Sequence, residues 1–80
     1  MAYRIEMTSS AERQLRAIEK NIRPQLLLHL YQLAVDPRPS AAVVVDEENE
    51  AYRLNVGDYG ILYWIREKSA VVLSIKTEGE

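Results

Sequence analysis

Hydrophobic and polar residues alternate along Tyr52-Arg53-Leu54-Asn55-Val56, break at Gly57-Asp58, and alternate again from Tyr59 to Arg66. A period of two puts Tyr52, Leu54 and Val56 on one face of a strand, with Arg53 and Asn55 on the other. Gly57 tolerates positive φ and the Asp58 side chain can bond to nearby backbone, so the pair predicts a tight turn. Beyond it, Tyr59, Ile61, Tyr63 and Ile65 share one face, while Gly60, Leu62, Trp64 and Arg66 share the other. The rest of the chain is organised around this hairpin.

Before it, Tyr3 to Met7 alternates and predicts a first strand. Ser9 with Glu12 three residues on fits a capping box that opens a helix. Ala11, Leu15, Ile18 and Ile22 then recur at helical spacing as a buried stripe. Arg13, Arg16, Lys20 and Arg23 fall along the opposite side. That line is either a solvated face, with Glu12–Arg16 and Glu19–Arg23 as i,i+4 pairs, or a stripe that touches phosphates or an acidic partner. Asn21 marks a break between two helices, and Pro24 suits the first turn of the second. Leu26, Leu27, Leu30, Leu33 and Ala34 give that helix a wide apolar stripe; Gln25, His29, Gln32 and Asp36 lie on its other side. Asp36-Pro37-Arg38-Pro39 ends it, because each proline pushes its predecessor out of the helical region.

Ala41 to Val45 predicts a strand apolar on both faces, and Asp46-Glu47-Glu48-Asn49-Glu50 an acidic loop. After the hairpin and a Glu67-Lys68-Ser69 turn, Ala70 to Lys76 predicts a last strand with Val71, Leu73 and Ile75 on one side. Thr77 to Glu80 is expected to be a frayed tail. The order predicts a single α+β domain over residues 1–80: an N-terminal strand, a two-helix hairpin, then antiparallel strands in a sheet with the helices on one face.

Composition narrows the function more than the fold. Eighty residues bury one small core, for which a partner often supplies further stability. The chain has no cysteine, which removes disulfides, thiolate metal sites and a Cys nucleophile. No run approaches a membrane-spanning length, so the expected location is the cytoplasm and no membrane partner is expected. The net charge of −2 divides into +2 over residues 1–40 and −4 over residues 41–80. A dedicated nucleic-acid binder is usually basic throughout, since phosphate neutralisation drives its affinity. There is no paired-His spacing, G-x-S-x-G elbow or phosphate-cradling glycine run. The single histidine, His29, reads as a plain surface residue. The acidic loop lacks the alternating oxygen ligands and turn glycine of a calcium site. No metal or cofactor is expected.

The sequence Tyr52-Arg53-x-x-Val56-Gly57-Asp58-Tyr59, followed by an apolar strand through Tyr63, resembles the central hairpin of the RelE/ParE superfamily of bacterial toxins. Leu33-Ala34-x-Asp36-Pro37-Arg38-Pro39 resembles the same superfamily, and the likeness runs from Tyr3-Arg4-Ile5 to the last strand. It implies a toxin of a type II toxin–antitoxin pair with a cognate antitoxin as partner. RelE-like members are metal-independent endoribonucleases (mRNA interferases) that cut messenger RNA in the ribosomal A site, inhibiting translation. Basic side chains there orient the phosphate while the 2′-OH attacks. ParE-like members share the fold and act on DNA gyrase, so fold does not settle function.

Under that resemblance Arg53 is the one motif-matched catalytic residue, and Arg13, Arg16 and Lys20 would dock ribosome or RNA. Asn55 stands where a second basic residue is common, Gly60 where the motif has its arginine, and Val43-Val44-Val45 where lysines are usual. The terminal Thr77-Glu78-Gly79-Glu80 stands where a further arginine and a tyrosine or histidine are usual. Leu62 and Trp64, beside Gly60, offer an apolar groove for an antitoxin helix, or pack under the tail or a second copy as a homodimer. The expectation is a toxin or toxin homologue with several catalytic basic positions missing; the alternative is a non-enzymatic binding module, a gyrase inhibitor or an inactive homologue retained for antitoxin binding.

Overall fold

The computed structural model describes residues 2–77. Its elements are β1 (Arg4–Met7), α1 (Ser9–Ala17), α2 (Arg23–Val35), β2 (Val43–Asp46), β3 (Ala51–Val56), β4 (Tyr59–Ile65) and β5 (Ser69–Thr77). They form one five-stranded sheet in the order β1-β5-β4-β3-β2. The sheet is mixed, because β1 lies parallel to β5 while the other neighbours are antiparallel. The expected α+β architecture is therefore present, with one parallel pair in it.

The predicted hairpin is the middle of this sheet. Tyr52 opposes Tyr63, Leu54 opposes Ile61 and Val56 opposes Tyr59, all on the face that meets the helices. Arg53 opposes Leu62 and Asn55 opposes Gly60 on the outer face. Gly57 makes the turn with φ of +60°, the conformation that glycine adopts without steric cost. Tyr63, Ile61, Leu26, Leu33 and Val72 are the largest fully buried side chains. Each such side chain contributes roughly 2–3 kcal/mol by leaving water.

The hairpin is also tied to the end of α2. The buried Tyr63 hydroxyl donates to the Pro37 carbonyl at 2.8 Å, and its ring stacks on Tyr52 at 5.8 Å between centroids. Burial, with Tyr52 and Asp36 nearby, pushes the Tyr63 hydroxyl pKa up to about 12. Arg38 donates to the Tyr52 hydroxyl at 3.3 Å and pairs with Glu50 at 2.6 Å. Those two partners hold its guanidinium still more firmly protonated. The Asp-Pro-Arg-Pro segment is thus a clamp on the hairpin as well as a helix stop.

Several local expectations shift. The cap of α1 is Thr8, not Ser9: its hydroxyl accepts from Ala11 N–H at 3.1 Å, one residue earlier than the Ser9–Glu12 box. Helix α1 ends at Ala17, well before Asn21, and Ile18 turns extended and buries in the core. Arg23 reaches back from α2 to donate to the Arg16 and Ile18 carbonyls, at 2.9 and 2.8 Å. It satisfies helix-end acceptors that would otherwise need water, so it is not part of a solvent stripe. Neither Glu12–Arg16 nor Glu19–Arg23 is among the ion pairs of the described residues.

The acidic stretch is an ordered turn, in which Asn49 donates to the Asp46 carboxylate from its side chain at 2.7 Å and its backbone at 3.3 Å. Those bonds hold the Asp46 pKa down. Thr77 belongs to β5, and the remainder of the expected tail, residues 78–80, lies outside the described residues.

The face assignment of β5 changes most. Leu62 opposes Ser74 while Tyr63 opposes Val72, so Leu73 is an extra residue in a β-bulge. Ala70, Val72 and Ile75 are the buried set, in place of Val71, Leu73 and Ile75. Helix α1 secures the bulge: Thr8 Oγ1 donates to the Leu73 carbonyl at 3.0 Å, and Gln14 Oε1 accepts from Ile75 N–H at 2.8 Å. Among the described residues no helix is long and apolar enough to cross a membrane.

Candidate functional site

The outer face of the sheet, opposite the helices, carries the candidate site. Arg53 is exposed on β3, as the alternation predicted. Gly60 lies diagonally beside it on β4, and a methyl group at Gly60 would stand 3.6 Å from Arg53 Cδ and 3.4 Å from Asn55 Oδ1. The space beside Gly60 is therefore taken up by the aliphatic stem of Arg53, which snorkels across the strand.

Gly60 opposes Lys76 on β5. The bulge at Leu73 makes this possible: with Ile75 turned to the core, Lys76 projects from the outer face, exposed. Sequence reasoning did not single out Lys76: alternation opposite Ile75 already put it on the outer side, but nothing in the chain marked it as the neighbour of Gly60 and Arg53. Neither Arg53 nor Lys76 is in an ion pair among the described residues. Arg53 and Lys76 thus place two exposed cations beside Gly60 on one sheet face.

The other half of this face is apolar. Leu62 and Trp64 are both half-buried. Trp64 lies between Ala51 on β3 and Val71 on β5, and the Arg66 guanidinium sits over its ring at 4.0 Å. A cation at that distance is attracted by the ring's quadrupole. The face thus offers Arg53 and Lys76 at one end and a shallow apolar strip at the other.

Arg13 and Arg16 are exposed on α1 and Lys20 is exposed in the turn after it. All three belong to the helical layer, on the far side of the sheet from Arg53, so the fold does not bring the two basic sets together. His29 also lies in that layer, with Nδ1 2.9 Å from the Gln25 carbonyl. No cluster of three or more His, Cys, Asp or Glu side chains that could hold a metal ion occurs among the described residues.

No protein-family model and no curated protein matches the sequence. Solved structures do match its fold. The chain is similar to a chain of the intact RelBE toxin–antitoxin complex of E. coli, with TM-score 0.84 and 23% identity over 99% of this chain and 100% of that one. It is similar to a chain of the archaeal RelE–RelB complex of Pyrococcus horikoshii, with TM-score 0.84 and 22% identity over 100% and 99% of the two chains. It is also similar to a chain of the chromosomal ParDE system of P. aeruginosa, with TM-score 0.74 and 13% identity over 95% and 96%. The chain shares the fold of these structures over nearly its whole length. Its backbone superposes better on those two RelE-containing complexes than on the ParDE one, which it matches about as well as the RelB–RelE complex of Methanococcus jannaschii, at TM-score 0.72.

Proposed function

We propose that this chain is the toxin of a type II toxin–antitoxin pair, acting in the cytoplasm, and that its outer sheet face is its working surface. Arg53 and Lys76 bind RNA phosphate there, on either side of Gly60. The observation that supports this most is their placement: two exposed cations meet on one sheet face of a chain whose net charge is negative.

Such a pair can stabilise the charge that develops on a phosphate when a neighbouring 2′-OH attacks it. The 2′-oxygen forms a bond to phosphorus, the bond to the 5′-oxygen breaks, and the hydroxyl proton passes through water to that leaving oxygen, giving a 2′,3′-cyclic phosphate and a 5′-hydroxyl. Among the described residues the outer face has no histidine to take that proton, so cleavage of ribosome-bound messenger is expected to be slow. Arg13, Arg16 and Lys20 face the other way and suit docking on the ribosome. A cognate antitoxin would cover the working face, with Leu62 and Trp64 receiving its apolar residues.

A second reading, a non-enzymatic module that inhibits a protein target or only binds an antitoxin, is favoured by the apolar strip at Leu62 and Trp64. An assay of messenger cleavage on programmed ribosomes separates the two. The expected result is slow cleavage by the native chain, none by Arg53→Ala, less by Lys76→Ala, and faster cleavage by Gly60→Arg. Absence of cleavage by both the native chain and Gly60→Arg would replace the nuclease reading with the binding one.

A further inference from the structure

The sheet ends on β2, which pairs with β3 on one side and has no strand on the other among the described residues. A free edge is a row of backbone N–H and C=O groups ready to pair with another chain, and proteins commonly guard it with charge, proline, a β-bulge or a covering segment. Here no charged residue stands between Arg38 and Asp46, and a bulge at Val45, between Val44 and Asp46, is the one irregularity in the pairing of β2 with β3. Val43, Val44 and Val45 are 58%, 51% and 50% exposed. Val43 opposes Arg53 and Val44 opposes Tyr52, so the edge is apolar on its outer face and on its helix face alike. The helices stop short of it, leaving a groove of about 490 Å³ whose walls include Val35, Pro39, Ala41 and Leu54.

We infer that two copies of this chain pair edge to edge along β2, antiparallel about a two-fold axis at Val44, to form one continuous sheet. Free backbone groups along the edge call for a strand, which a helix laid on it cannot replace. Charge then selects which strand and which direction. In the antiparallel register Val43 meets Val45 of the second copy, at the bulge, and Asp46 comes beside the uncharged Ala42. The acidic turns of the two copies lie at opposite ends of the pairing. A parallel arrangement would instead set Asp46 beside its own copy, and like charges directly opposite are destabilising.

The strand is therefore complementary to itself in the one geometry that closes as a dimer. The strand offers only four residues for pairing, which suits a reversible dimer more than a permanent one. Both outer faces lie on one side of the joined sheet. With about 4.8 Å between strands, the two Arg53 side chains start roughly 15 Å apart. This inference is independent of the toxin reading, and its test involves no RNA.

Because the chain has no cysteine, one introduced thiol reports its own contacts. Residues opposite each other in an antiparallel pair have Cβ atoms about 4.5–5.5 Å apart, within disulfide reach. Under mild oxidation Val44→Cys is expected to give a covalent dimer and Tyr31→Cys, on the outward side of α2, to stay monomeric. In sedimentation velocity the unmodified chain is expected to show a concentration-dependent dimer. Val44→Lys should weaken it at least about tenfold while circular dichroism and melting stay unchanged, since Val44 is half exposed. A monomer at every concentration with no Val44→Cys cross-link overturns the inference. So does a dimer that survives Val44→Lys, or one that cross-links through Tyr31→Cys, which would move the interface to α2.

Discussion

The stem of Arg53 lies across Gly60, its Cδ 3.6 Å from where a side chain on Gly60 would begin. Gly60 is thus a strand position with ordinary room for one methyl group, without the positive φ that Gly57 has. Gly60→Ala is expected to leave stability unchanged or raise it by about 0.5 kcal/mol. Gly57→Ala is expected to cost about 1–2 kcal/mol, because an L side chain is strained there. Urea unfolding of the two variants side by side tests this. Equal losses at both positions would mean that Gly60 is conformationally required as well.

Arg53 and Lys76 should act on RNA as charges. Each alanine substitution is expected to weaken binding of a short single-stranded RNA without regard to sequence. Each should also lower the slope of log affinity against log salt by about 0.7. Arg4→Ala, at the far edge of the sheet and paired with Glu6 at 3.6 Å, is expected to change the slope little. A slope unaffected by Arg53→Ala would remove that residue from the phosphate site.

Thr8 and Gln14 hold the β5 bulge from α1. Thr8→Val removes both the helix cap and the bond to Leu73, and should cost about 1–2 kcal/mol. Gln14→Leu leaves the Ile75 N–H without its acceptor, at a cost of about 1–3 kcal/mol. Since both contacts secure one bulge, the double variant should lose less than the two separate losses combined. Strict additivity in denaturant midpoints would show that the two bonds are independent.

Tyr63 sets an alkaline limit. In the unfolded chain its hydroxyl ionises near pH 10, and in the folded protein at about 12. The folded state therefore keeps a proton that the unfolded state releases. This contribution is complete below pH 10 and is lost as pH rises to about 12, on the order of 2–3 kcal/mol. Tyr63→Phe should be less stable at neutral pH by about 1 kcal/mol, from the lost bond to Pro37, and should show a flatter decline above pH 10. A parallel alkaline decline in both proteins would assign the limit to another group.

Much of this protein was legible in its residues. The hairpin, its turn and the outward direction of Arg53 follow from strict alternation around Gly57-Asp58, because each strand places successive side chains on opposite faces whatever surrounds it. Pro24 and the Asp36-to-Pro39 stop likewise act through their own backbone geometry. The apolar set Leu26, Leu30 and Leu33 marked the face of α2 that is buried. Its outward side is less polar than the pattern suggested, however, since Leu28, Tyr31 and Val35 are exposed there.

What the residues alone did not determine depends on contacts between distant segments. The early end of α1 rests on Arg23 reaching back to carbonyls five and seven residues before it. The parallel seat of β1 beside β5 joins the two ends of the chain. Above all, the bulge at Leu73 is held by two side chains more than sixty residues away, Thr8 and Gln14. A one-residue shift in a strand exchanges its faces. Local alternation gives no signal of that shift: it keeps Val71 and Leu73 on the side of Ile75, and only the packed structure buries Ala70 and Val72 with Ile75 while Lys76 stands beside Gly60 on the face of Arg53.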